Sequence, residues 1–161
     1  MSQTFKQTFI TAHDREMESI ARLFKMVPVN VDLMNYKPHE KSMVMHDLVK
    51  HLQQTELYFV RGLLTNVWDM ESVKWYVGKH EPMIDQLMAN HREAMGMLDE
   101  ISNDDLLERQ VELSYMTGSL ADILFHNLDH IGHHRTQLFY YLKFLEEPVD
   151  SRSIWGEKYP V

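Results

Sequence analysis

The stretch FHNLDHIGHHRTQL, residues 125–138, sets His126, His130, His133 and His134 into an apolar pattern of helical period. Pro148 is the next breaker downstream, so the pattern reads as one long helix from about Ser119 to Glu146. Residues four apart on a helix share a face, one turn above the other. His130 and His134 therefore present two imidazoles to one point. On a wheel turning about 100° per residue, Leu120, Ile123, Ile131, Leu138, Tyr141 and Leu145 mark the apolar arc. His134 falls near its middle and His130 toward its edge. His126 and His133 fall on the flank.

Upstream, the same period recurs with few breakers, since the chain has only 6 Gly and 5 Pro in 161 residues. A first helix is expected from about Gln3 to Met26, ending before Pro28. A short turn is expected around Val31–Asn35 in the connector 27–41. A second helix follows Ser42, read as its N-cap, and runs to about Leu64. An aromatic connector with Trp68, Trp75 and Tyr76 leads to a third helix, from Glu81–Pro82 to about Ile101. Residues 102–118 read as polar loop, with Asp104 and Asp105 solvated. The tail with Trp155 and Tyr159 is expected to pack back onto the helices. No strand alternation and no internal repeat stands out. The expectation is all-α: a single-domain four-helix bundle over 1–161, with long connections that permit crossovers.

The second helix adds a third imidazole. Val44, Leu48, Leu52, Phe59 and Gly62 define its apolar arc, and His51 lies at the arc's edge. His51, His130 and His134 can then meet in the bundle interior. Three imidazoles with an open fourth position describe a catalytic metal site, whereas a structural site is closed by a fourth protein ligand such as Asp47 or Glu56. A ligating imidazole usually gives its other N–H to a carboxylate or carbonyl, and Asp47 or Asp129 is placed to accept it. Asp47 lies one turn before His51 and Tyr58 two turns after, which makes them candidates for proton transfer. His13, His39, His46, His80 and His91 read as solvated. The methionines and aromatics at helical spacing read as core.

Composition narrows the function. A net charge of −8 argues against a nucleic-acid partner, which calls for a basic footprint. No apolar run approaches the roughly 20 residues that span a bilayer. The first residues, MSQTFKQTFITAHDRE, lack the apolar stretch of a signal peptide, and a cytoplasmic location is expected. There is no cysteine, so any metal ligand must be His, Asp or Glu.

Three segments resemble the DinB/YfiT-like superfamily of metal-binding four-helix bundles. NYKPHEKSMVMHDLVKHL is similar to the family's approach to its first ligand histidine. HNLDHIGHHRTQLFYYLKFL resembles its hallmark of spaced histidines followed by Arg, Gly and Gln, and PVDSRSIWGE resembles its C-terminal ending. The resemblance implies His51, His130 and His134 as ligands of a divalent ion, often zinc or nickel. It implies that His126 and His133 are not ligands and that Arg135 and Gln137 are structural. Thr136 stands where the motif has Gly, at a position expected to lie against a neighbouring helix. The resemblance also implies a homodimer, a small-molecule substrate and a transferase using an external low-molecular-weight thiol. Metal-dependent hydrolysis, and metal or ligand binding without catalysis, are the alternatives.

Overall fold

A computed structural model describes residues 4–156. Four long helices form the bundle: α1 (Phe5–Phe24), α3 (Met45–Thr65), α4 (His80–Asp99) and α6 (Leu120–Phe144). Three short helices join them: α2 (Val31–Met34), α5 (Asn103–Glu108) and α7 (Ser151–Trp155). The expected helices are all present, and the differences lie at ends and connections. Thr4 and Ser119 cap α1 and α6 with reciprocal capping boxes. Helix α3 begins two residues later than expected, with Val44 rather than Ser42 at its N-cap position. Residues 102–118 are not plain loop. Ser102 caps α5, and strands β1 (Gln110–Leu113) and β2 (Met116–Ser119) pair as an antiparallel hairpin. Such short strands are set by the turn between them and leave too little alternation to stand out in sequence. Tyr159 lies outside the described residues. Trp155 ends α7, which packs on α1 and is tied there by an Arg22 bond to the Ile154 carbonyl, 2.6 Å.

Long-range contacts fix the topology. Phe9 meets Phe125 and Glu16 meets Arg135, so α1 and α6 run parallel. Met43 meets Tyr141 and His51 meets His130, so α3 and α6 run antiparallel. Lys6 reaches the Asp99 carbonyl while Asp14 meets His91, so α1 and α4 are also antiparallel. The order is up-down-down-up, and the parallel pair α3/α4 needs a connector that returns along a whole helix. Residues 66–79 supply it, because extended chain covers more than twice the rise per residue of a helix. Buried amides hold it in place. Gln53 exchanges bonds with the Tyr76 backbone, and Gln54 donates to the Met70 and Val73 carbonyls. Trp68 lies on Gly62, where a Cβ would come within 2.3 Å of its ring.

The core is two apolar clusters separated by a polar layer. One holds Met17, Leu52, Leu87 and Ile131; the other holds Phe9, Val60, Met95 and Ile123. Between them each bundle helix contributes a buried polar residue one turn from an apolar neighbour on either side: His13, Glu56, His91 and Asn127. Among the described residues, no helix is long and apolar enough to cross a membrane.

Candidate metal centre

Beside the polar layer, α3 supplies His51 while α6 supplies His130 and His134 from successive turns. The Thr55 hydroxyl caps the His51 carbonyl at 2.7 Å. Ring centroids lie 4.5 Å apart for His130 and His134, 4.6 Å for His51 and His134, and 5.4 Å for His51 and His130. The Nε2 atoms of His51 and His130 are 3.1 Å apart. One nitrogen from each of the three rings lies within 4.8 Å of the others. Ligands about 2.0–2.1 Å from a tetrahedral zinc stand roughly 3.3 Å from one another, so this spacing suits a shared ion. All three side chains are half-buried, His134 included, although its wheel position pointed to the core.

The electrostatics favour the neutral rings that metal binding requires. Burial pushes the His51 imidazole down to about 4, helped by His134 and His130. Burial also lowers His130, reinforced by His134, His126 and His133 and opposed by Asp129. The donor set therefore fits a divalent cation that accepts imidazole nitrogen.

The acceptor that orients His134 is Gln137, whose Oε1 lies 2.9 Å from Nδ1. The expected carboxylates are engaged elsewhere. Asp47 lies 3.1 Å from the Nδ1 of His46, and Asp129 lies 3.5 Å from His133. Asp47 also lines a cavity of about 260 Å³ beside His51, with Met43, Lys50, Gln54 and Met70. Tyr58 lines a different cavity, about 170 Å³, with Trp68 and Tyr115. His126 and His133 are exposed. Arg135 forms an ion pair with Glu16 at 2.8 Å and faces the Trp155 ring. Thr136 is exposed and bonds back to the Gly132 carbonyl at 2.9 Å. It does not lie against a neighbouring helix, so a side chain is tolerated where the motif has Gly.

Two histidines expected on solvated faces are buried. His13 is 0% exposed and His91 4%. Their Nδ1 atoms grip the two oxygens of buried Glu56 at 2.6 and 2.8 Å, and the His91 Nε2 reaches Asp14 at 2.9 Å. Burial pushes the Glu56 carboxyl up, but the hydrogen bonds and charges of His13 and His91 outweigh it and hold it low. Burial works against a charged His91, while Glu56 and Asp14 together raise it. With both oxygens engaged, Glu56 is not a fourth ligand for the triad.

No protein-family model matches this chain, and no curated protein matches its sequence. A solved structure does. The crystal structure of YjoA, a DinB-like protein from Bacillus subtilis, superposes with a TM-score of 0.69 at 18% identity. The match covers 88% of this chain and 94% of that one. The fold is DinB-like. Within this DinB-like fold the histidine cluster sits between α3 and α6, at the edge of the polar layer.

Proposed function

We propose that this protein is a divalent-metal-dependent enzyme that joins an external low-molecular-weight thiol to a small electrophilic molecule. The observation carrying this reading is the convergence of His51, His130 and His134, the cluster of described residues whose donor atoms can share one ion. Zinc or nickel is the ion proposed. When bound, it supplies Lewis-acid activation of a thiol or water. The protein's own residues set the conditions. Burial holds the His51 and His130 rings toward the neutral form, and a cavity with His51 in its wall lies next to the cluster. The chain has no cysteine, so the thiol must come from solution.

Asp47 favours a second reading, metal-dependent hydrolysis, because it lines that same cavity and can accept a proton from water. Binding of metal without turnover is the third. The leading proposal also takes the protein as a cytoplasmic homodimer without nucleic-acid or membrane partners. Light scattering should then give twice the chain mass of 19.2 kDa.

The decisive experiment measures metal by mass spectrometry in protein purified without a nickel column, beside His134→Ala. About one equivalent in the wild type and none in the variant is expected from a single three-ligand site. Loaded protein is then assayed for thiol consumption with a panel of electrophiles. Metal with thiol-independent ester cleavage favours hydrolysis, and metal without turnover favours binding alone. No metal uptake from zinc or nickel solutions sinks all three readings.

A further inference from the structure

We infer that Gln137 is a positioning residue of the metal centre, joined through Tyr141 to the Met43 carbonyl, and that this relay fixes the tautomer of His134. The inference rests on the metal reading above. His134, Gln137 and Tyr141 stand at i, i+3 and i+7 of α6 and so share one face. His134 Nδ1 lies 2.9 Å from Gln137 Oε1; Gln137 Nε2 lies 2.8 Å from the Tyr141 hydroxyl; that hydroxyl lies 2.8 Å from the Met43 carbonyl.

The polarity of the chain follows from its far end. A backbone carbonyl only accepts, so the Tyr141 proton is committed to Met43. The Tyr141 oxygen must then accept, which turns the Gln137 amide nitrogen toward it. That leaves Gln137 Oε1, again only an acceptor, facing His134. The proton of neutral His134 is thereby placed on Nδ1, and its lone pair on Nε2. A backbone oxygen in one segment thus selects the ligating nitrogen in another.

The anchor is firm. Tyr141 is 3% exposed, and its ring meets Tyr36 edge-on at 5.9 Å. The Tyr36 carbonyl accepts the Met45 amide at 2.9 Å, at the start of α3. Met43 also lines the cavity beside His51. The relay therefore ties the α6 ligand to the segment that launches the α3 ligand and walls the cavity. Leucine would fill the Gln137 space equally well but accept nothing. Partners behind a ligating histidine typically set metal affinity by about 10–100-fold.

The test is a zinc titration against a chromogenic chelator for wild type, Gln137→Leu, Gln137→Glu and Tyr141→Phe, with ¹⁵N NMR of His134 in each metal-free protein. Gln137→Leu should weaken zinc by about 10–100-fold and shift His134 toward the Nε2–H tautomer, with the helical melt intact. Gln137→Glu keeps an acceptor toward His134 but cannot donate to Tyr141, so it should keep the Nδ1–H tautomer and recover part of the zinc affinity. Tyr141→Phe should weaken zinc by about tenfold or less. Wild-type affinity and tautomer in Gln137→Leu would overturn the inference. So would equal losses in Gln137→Leu and Gln137→Glu, which mark packing alone. If the wild type takes up no zinc, the metal reading fails, and the His134 tautomer in the metal-free variants still decides the role of Gln137.

Discussion

Two histidine clusters lie in neighbouring layers of one bundle, and they are built on opposite principles. The Glu56 cluster gives each buried imidazole a carboxylate: His13 and His91 hold one oxygen each, and Asp14 meets His91 from outside. The triad of His51, His130 and His134 brings three imidazoles together, and burial and mutual repulsion lower two of them. In the first cluster Glu56 is held ionised with both oxygens engaged, while the buried Nε2 of His13 has no hydrogen-bond partner among the described residues. In the second, burial holds His51 and His130 toward the neutral form, which leaves each a lone pair to offer a cation. The residue type is the same, and the presence or absence of a carboxylate decides whether a histidine group cements the fold or waits for a cation.

The largest effect that tests this contrast is all-or-none. Alanine at His51 or His130 should take metal from about one equivalent to none, with metal-free unfolding changed by less than about 1 kcal/mol, as for sites away from the packed core. Loss of fold instead would erase the distinction. Next, Glu56→Ala should cost about 3–5 kcal/mol in denaturant unfolding, because it strands buried imidazoles without their counter-charge. Metal uptake by the folded fraction should persist. A variant of near wild-type stability would show that the cluster is not cement.

A third test uses pH. His91 is raised above its usual 6.5, so its contribution is complete below 6.5 and fades as pH rises through the raised value. Glu56 is held below its usual 4.5, so its contribution is complete above 4.5 and fades as pH falls through the lowered value. The cluster should stabilise most between about 4.5 and 6.5. Stability of the metal-free protein should decline from pH 6.5 upward, and His91→Gln should flatten that decline; an unchanged slope would remove His91 as its source. The smallest effect is Asp14→Asn at the half-exposed outer end. It should cost about 1 kcal/mol or less, and a multi-kcal/mol loss in thermal or urea unfolding would mean the cluster extends to the surface as one unit.

Most of the bundle was legible in sequence because amphipathic period is a local property. The Phe125–Leu138 stretch showed both its helix and the pairing of His130 with His134, and His51 stood at the edge of another apolar arc. The Glu56 cluster is harder to see in the sequence, although its signal is present. His13 lies between Phe9 and Met17, and His91 between Leu87 and Met95, at the same four-residue step as the core. A wheel assigns a face but not a partner, and a buried imidazole becomes affordable only when a carboxylate from another helix meets it. The role of Gln137 was hidden for the same reason, since its bond to Tyr141 has meaning only once the Met43 carbonyl arrives from outside α6. The β1–β2 hairpin and the displaced start of α3 depend on turn geometry, which the apolar period does not carry.

The polar layer has a consequence for assembly. Apolar side chains are interchangeable partners, so a helix slipped by one turn, about 5.4 Å, still finds grease to touch. Glu56 does not have that freedom: one turn away its carboxylate would face the apolar neighbours of His13 and His91 with no donor in reach. The layer thus acts as an index mark shared by α1, α3 and α4. It sets how far these three helices slide along one another, and so the height at which α3 carries His51 within the bundle.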